Sequence, residues 1–377
     1  MKNKIIIGII CFIVVLACCI GWYFLMWNKD LSFNREILTS RKSDWELHVL
    51  TSIDDEVVGD SMWCGTFQLV WNDMVNEVVK KDVEFSPQLT IVENLNKQTF
   101  TNKQISPSNY YSKFWLLTLD LKKEIENWIK EKFNETSDIL DQWADWSQVP
   151  QSDDYYDWKD EKKYGFYAML KKIFKFENVF DQFDNWKFDD KYDNVKYFWI
   201  GYSNSKLYNQ VYVYYYNSDD DFAVALKTKE WEDVILARWI WWNSFMDVYN
   251  NILRKDKKYK WKHYFTENDY LKVPELKVKT LTEFSELEDK EFYAKDWDVC
   301  RIDKALQTIE LKLDKEWWEI KSEAWIARPT KSISMKPPKV EHRYFYFDKP
   351  YIMFLKEENK DLPYFAAQIS DITLFQN

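Results

Sequence analysis

The sequence predicts an α+β domain carried behind an N-terminal transmembrane helix. Three observations lead there. Residues 5–27 (IIIGIICFIVVLACCIGWYFLMW) hold no charged side chain and are long enough to span a bilayer. The segments 67–79 and 121–133 space their apolar residues with a helical period. The runs 211–216, 222–228 and 305–314 are β-branched or aromatic, and the last alternates strictly.

The apolar run is too long for an ordinary signal-peptide core, which favours an uncleaved signal anchor. Lys2 and Lys4 on its short side place the N-terminus inside and everything after Asn28 outside. Val15-Leu16-Ala17-Cys18 loosely resembles a lipoprotein cleavage box, but the apolar run continues past it; a cleaved or lipidated, secreted form is the alternative. The expected division is a cytoplasmic tail at 1–4, the anchor at 5–27, a polar stalk at 28–60 and the folded domain at 61–377.

Within the domain, FQLVWNDMVNEVV (67–79) and LKKEIENWIKEKF (121–133) read as amphipathic helices. In the second, Ile125, Trp128 and Ile129 share a face, so Trp128 is expected in the core. VYVYYY (211–216), FAVALKT (222–228) and ALQTIELKLD (305–314) read as strands, the last with Ile309, Leu311 and Leu313 on one face. FYFDKPYIMFL (345–355) reads as a further strand in which Pro350 demands an edge or a bulge.

Net charge is −10, which argues against nucleic acid as a partner, since a phosphate-backbone binder needs a basic face. The basic run KDKKYKWKH (255–263) reads as a solvated loop. Of the five cysteines, Cys11, Cys18 and Cys19 lie in the apolar run. Cys64 and Cys300 are expected as free buried thiols, or as a pair if the domain is extracytoplasmic. His48, His263 and His342 are far apart and show no metal-ligand spacing, so neither metal nor cofactor is expected. No nucleophile elbow, phosphate loop or distinctive carboxylate pair is present, and no enzymatic activity is expected.

The composition carries one anomaly. The chain has 21 Trp and only 6 Gly in 377 residues. Together they reach about the level, 7%, that glycine alone usually has. Lys over Arg, with abundant Asn, Ile, Phe and Tyr, suggests an AT-rich gene. Many of these Trp are therefore expected to stand for UGA codons read as glycine in the source. Six glycines leave too few residues free to adopt positive φ at turns and caps. A Trp-rich carbohydrate-binding surface or an unusual aromatic core is the alternative.

With glycine at 317, 318 and 325, the C-terminal third reads ALQTIELKLDKEGGEIKSEAGIARPTKSISMKPP, then FYFDKPYIMFL, and resembles the serpin family. Phe345, Phe347, Asp348, Pro350 and Tyr351 lie in a stretch similar to the family's C-terminal signature, with Tyr351 where Phe is usual. Residues 305–317 resemble the strand entering the reactive loop, with Gln307 where that strand usually has His. VEFSPQLTI (83–91) resembles the family's helix start after a Ser-Pro, with one extra residue and Thr90 for the second Ser. More weakly, Glu126-Asn127-Trp128-Ile129 resembles the helix over the main sheet. IFKFENVFDQF (173–183) resembles that sheet's central strand, with Val179 near the usual Trp, and LKVPELKVK (271–279) its late Pro-bearing strand. The blocks occur in the family's order. The resemblance implies helices packed around a large mixed β-sheet with smaller sheets, and an exposed reactive loop at 315–338.

It also implies a hinge at Glu316, Trp317, Trp318, Glu319, Ile320, Ser322 and Ala324, where glycine-like freedom lets the loop enter a sheet. From 318 onward small or apolar positions (318, Ile320, Ser322, Ala324, Ile326) alternate with mostly charged ones (Glu319, Lys321, Glu323), as in a strand buried on one face. Lys321 and Glu323 depart from the family's run of small residues. Counting from the hinge puts the scissile bond at Lys331-Ser332; counting back from Pro337-Pro338 puts it near Ser334-Met335. Lys331 read as an ordinary exposed lysine is the bland alternative. The expected function is a monomeric, membrane-anchored inhibitor of a serine or cysteine protease with basic specificity, acting as a suicide substrate. A non-inhibitory surface or binding protein of the same fold is the second expectation, and a Trp-rich glycan-binding module the third.

Overall fold

A computed structural model describes residues 47–133, 140–141, 145–156, 161–200, 205–238, 243–295, 298–314 and 342–376. The anchor at 5–27 lies outside the described residues; among those described, no helix is long and apolar enough to cross a membrane. In chain order the elements begin with β1 (His48–Leu50), β2 (Ser61–Cys64), α1 (Thr66–Met74), α2 (Thr90–Asn96), β3 (Tyr110–Leu116) and α3 (Leu119–Phe133). Next come β4 (Lys162–Ile173), β5 (Asp181–Phe188), β6 (Tyr192–Ile200), β7 (Val211–Ser218), β8 (Asp221–Lys227), β9 (Glu232–Arg238) and α4 (Phe245–Lys258). The chain closes with β10 (Asp269–Pro274), β11 (Leu276–Glu283), β12 (Lys290–Tyr293), β13 (Val299–Leu313), β14 (Arg343–Tyr346), β15 (Tyr351–Glu357) and β16 (Phe365–Ile369). β1 lies within the stretch read as stalk, pairs with β2 in parallel, and is followed by the buried Ile53.

The strands form three sheets. One has seven strands in the order β1-β2-β16-β15-β9-β8-β7, one has four (β14-β10-β6-β5), and one has β11-β13-β4-β3 with β12 added on β13. Parallel and antiparallel pairs mix, as in the mixed sheets that the resemblance implies.

Helix α1 is buried nearly all round, every residue but Asp73, so it sits inside the molecule rather than on it; its buried Gln68 and Asn72 donate to the Leu95 and Phe100 carbonyls. Phe67, Val70, Trp71 and Met74 pack with Phe114, Phe166 and Ile302 beneath the five-stranded sheet. Gly65, just before α1, lies so close to Phe100 that a Cβ there would sit 2.4 Å from the ring; a larger residue forces Phe100 away. The opposite face of that sheet is covered by α3. Thr118 Oγ1 accepts from Leu121 N at 3.1 Å, and Leu121, Ile125 and Ile129 pack on Tyr167, Met169 and Leu306. The helix carrying Glu126-Asn127-Trp128-Ile129 thus packs over the five-stranded sheet. Trp128 differs from the core position expected of it: it lies at the rim, half-buried, with its ring 4.5 Å from Tyr111 and under Lys132.

Two further expectations differ from the structure. FYFDKPYIMFL is not one strand: β14 and β15 belong to different sheets, and Pro350 sits in the turn between them. A proline ring with no N–H ends pairing more readily than it sits within it. The central strand is β4 at Lys162–Ile173, upstream of the 173–183 block, which instead spans the exit from β4 and the start of β5; Val179 there is exposed.

The tryptophans divide by environment. Trp63 and Trp71 are buried, Trp71 donating from Nε1 to Asn96 Oδ1 at 3.1 Å and Trp63 packing edge-on to Phe100. Trp231, in the β8–β9 turn, has φ of +61° and is 75% exposed. The left-handed conformation costs a non-glycine residue about 1–2 kcal/mol, and an exposed indole recovers nothing by packing. Trp231→Gly is accordingly expected to raise stability by about 1 kcal/mol, whereas Trp63→Gly should lower it by about 3–5 kcal/mol through a core cavity. Equilibrium urea unfolding of both variants checks the sign of each change, and destabilisation by Trp231→Gly would contradict the reading of that turn.

Candidate functional site

The centre of the five-stranded sheet is a parallel pair. β4 and β13 run side by side from Cys300↔Lys162 to Lys312↔Ile173, with one bulge between Ile302 and Lys304. Their other neighbours, β3 and β11, are antiparallel to them. β4 alternates sides along its middle, and β13 does so beyond its bulge. Phe166 and Ala168 of β4 face the α1 cluster while Tyr167 and Met169 face α3. Ile309, Leu311 and Leu313 of β13 are buried with no measurable exposure, as their alternation predicts.

The seam between these strands is crossed by ion pairs: Arg301–Glu161 at 2.8 Å, Lys162–Asp298 at 2.6 Å, Lys163–Asp303 at 3.6 Å and Lys171–Glu310 at 3.2 Å. Glu310 and Lys171 are register partners, and Glu310 also approaches Lys279 of β11 at 3.8 Å. A second polar knot ties the end of β4 to the seven-stranded sheet. Lys172 pairs with Glu232 at 2.6 Å, both nearly fully buried, and Asn109 Nδ2 donates to Glu232 and Glu357. Ser106 donates to Glu357 through both its backbone N and its Oγ. Burial holds the Glu232 carboxyl above its ordinary range, opposed by the Lys172 ammonium.

Gln307, at the position where the resemblance leads one to expect His, lies in the middle of β13 with no exposure. Its Nε2 donates to Cys64 O at 3.0 Å and to Thr66 Oγ1 at 2.9 Å, fastening β13 to the start of α1. Cys64 and Cys300 are both free and buried, and burial pushes each thiol up to about 11, so neither is an activated nucleophile. Among the described residues no cluster of His, Cys, Asp and Glu could hold a metal ion.

β13 ends at Leu313, and the chain then enters 315–341, which lies outside the described residues. The hinge residues Glu316, Trp317, Trp318, Glu319, Ile320, Ser322 and Ala324 and the bond Lys331-Ser332 all fall there. The C-terminal signature does not. Phe345, Phe347 and Tyr351 are core residues, Phe347 and Tyr351 packing at 5.2 Å. Asp348 receives Lys272 Nζ at 2.7 Å, and its backbone carbonyl accepts from Asp189 N. Arg343, at the start of β14, donates to both oxygens of Asp269, to Tyr259 Oη, and to the carbonyls of Lys262 and Tyr264. The chain is therefore fixed at both ends of the segment that sequence analysis singled out.

No family model matches the sequence, and no curated protein matches it. Among solved structures, the chain is similar to Serpin48 of the insect Tenebrio molitor at 10% identity, covering 84% of this chain and 92% of that one with a TM-score of 0.49. Manduca sexta serpin-12 is similar at 12% identity, covering 85% and 95% with a TM-score of 0.48. A thermophilic serpin, tengpin, in its native state is similar at 11% identity, covering 85% and 92% with a TM-score of 0.49.

Proposed function

We propose that the chain is a serpin-like protease inhibitor that acts as a suicide substrate, held outside the membrane by the helix read at 5–27. The observation that carries this reading is the β4–β13 seam. A parallel pair lies at the centre of a buried sheet, and one of its strands runs straight into the segment whose alternation suits a strand. A chain folding back after Leu313 would run antiparallel to both β13 and β4 and could pair with each. Such insertion exchanges one parallel ladder, the less stable kind per residue, for two antiparallel ones. It also buries the face carrying Ile320, Ala324 and Ile326.

In this reading the serine of a trypsin-like protease attacks the Lys331 carbonyl. The Lys331-Ser332 amide breaks, the Ser332 amine leaves, and an ester joins Lys331 to the enzyme. Insertion of the freed strand then carries the enzyme away from its productive geometry before water releases it. The inhibitor supplies a bait and a sheet that can open, and no catalytic group. Glycine at 317 and 318 is part of the reading. The second reading, a non-inhibitory binding protein of the same fold, is favoured by Lys321 and Glu323, which hinder rapid insertion.

Cleavage at the loop tests the insertion step. A chain with Gly at 317, 318 and 325, cut after Lys331, is expected to melt on the order of 10 °C higher than the intact chain. An unchanged or lower melting temperature would mean that the cut loop stays outside the sheet.

A further inference from the structure

In a chain of net charge −10, residues 254–263 form a local exception. The last turn of α4 and the loop after it carry Lys257, Lys258, Lys260 and Lys262, all exposed, and none is in an ion pair among the described residues. The neighbouring carboxylates are occupied elsewhere: Asp221 by Lys255, Asp220 by Arg238, and Asp256 by Tyr212 Oη and His263. Two of them, Lys258 and Lys260, border an open groove of about 530 Å³ whose walls also include Tyr215, Tyr216, Tyr259 and Trp261. Tyr264, on the same loop, is 58% exposed and lies under Lys262 Nζ.

Position adds the decisive point. Arg343 holds this loop by Tyr259 Oη and by the carbonyls of Lys262 and Tyr264, and it is the first residue of the strand that follows the 315–341 segment. The C-terminal tether of that segment thus lies beside the lysine loop. We infer that the end of α4 and the loop after it, residues 257–264, form with their groove a docking surface for an acidic face of the target protease. This rests on the inhibitor reading above. Exposed tyrosine among cations has the composition of a protein interface, an aromatic anchor with a charged rim. Lysines of one sign around a concave surface raise association rates by about 10-fold or more at low salt.

The test uses anionic and cationic trypsin isoforms with the active serine blocked, captured on the intact protein and read by interferometry. At low ionic strength the anionic isoform should bind about 10-fold more tightly than the cationic one. The K257Q/K258Q/K260Q/K262Q variant should abolish that preference, as should raising salt to about 0.5 M, where screening is short-ranged. All four side chains are exposed, and an unchanged melting temperature verifies that the variant folds. Equal binding of the two isoforms, or a preference unaffected by the four substitutions, overturns the proposal. So does lysine-dependent capture of sulfated dextran without any isoform preference, which would assign the groove to polyanions. Lysine-dependent capture of blocked enzyme, with no covalent complex from the active one, would retire the inhibitor reading and leave the docking surface standing.

Discussion

Glu232→Ala is expected to destabilise the protein by about 3–5 kcal/mol, the cost of leaving one member of a buried ion pair alone. Lys172 and Glu232 meet at 2.6 Å, with side chains 8% and 1% exposed. With the carboxylate gone, the Lys172 ammonium keeps one neutral acceptor, Asn109 Oδ1 at 3.3 Å, in a site with little water. Asn109 Nδ2 loses its bond to Glu232 as well, and retains the one to Glu357. The damage is structural in consequence, because Lys172 is the penultimate residue of the central strand β4 whereas Glu232 opens β9 of the seven-stranded sheet. Replacing both partners together, as Lys172→Met with Glu232→Leu, should return most of the loss, since a matched apolar pair removes two desolvation penalties at once. Equilibrium urea unfolding of the two single variants and the double measures this coupling. Additive losses would show that the two groups act independently and that the pair does not join the sheets.

The second large effect belongs to the hinge. Inhibition is a contest between insertion of the acylated loop and hydrolysis of the ester, so the yield of trapped enzyme follows the ratio of two rates. A barrier raised by about 1.4 kcal/mol lowers that ratio tenfold. Indoles at 317 and 318 would have to pass through the tightest part of the path, where the chain reverses beyond Leu313 and parts β4 from β13. A reversal commonly needs a positive φ, which costs any L residue with a Cβ about 1–2 kcal/mol at each position. Gly at both positions is expected to give at least about tenfold more trapped enzyme per cleavage than Trp at both. Densitometry of complex against cleaved inhibitor gives the ratio directly; equal ratios for the two chains would remove the hinge argument for glycine. The ion pairs over the seam, Lys171–Glu310 among them, must also part and so add to the same barrier.

What the sequence made legible was mostly periodic. Ile309, Leu311 and Leu313 alternate in the sequence and are buried in β13, and the 121–133 helix lies over the sheet with Ile125 and Ile129 inward. Trp128 shares their face in a helical projection, but a projection does not show where the sheet ends, and Trp128 meets its margin. The 345–355 run failed as one strand because apolar residues on both sides of Pro350 suit two sheets as well as one. The polar parts of the site were illegible for a different reason. Nothing local in Lys171, Lys172, Glu232 or Glu310 distinguishes them from the many solvated charges of this chain. Glu310 meets Lys171 only through strand register, and Glu232 meets Lys172 only because two sheets pack together. Gln307 drew notice as a departure from His, yet its bonds to Cys64 and Thr66 follow from packing against α1. The lysine run at 255–263 was visible from the start and read as a solvated loop; its position beside Arg343 gives it a second meaning.

The central claim is that this chain traps a protease by being cut. Residues 30–377, with Gly at 317, 318 and 325, should be mixed with an active trypsin-like protease and resolved on a denaturing gel. The account predicts a band at the summed mass that survives detergent, together with a released C-terminal peptide beginning at Ser332. Complete cleavage at Lys331 with no such band would show that the ester is hydrolysed before the strand inserts. The molecule would then be a substrate or a binding protein rather than an inhibitor.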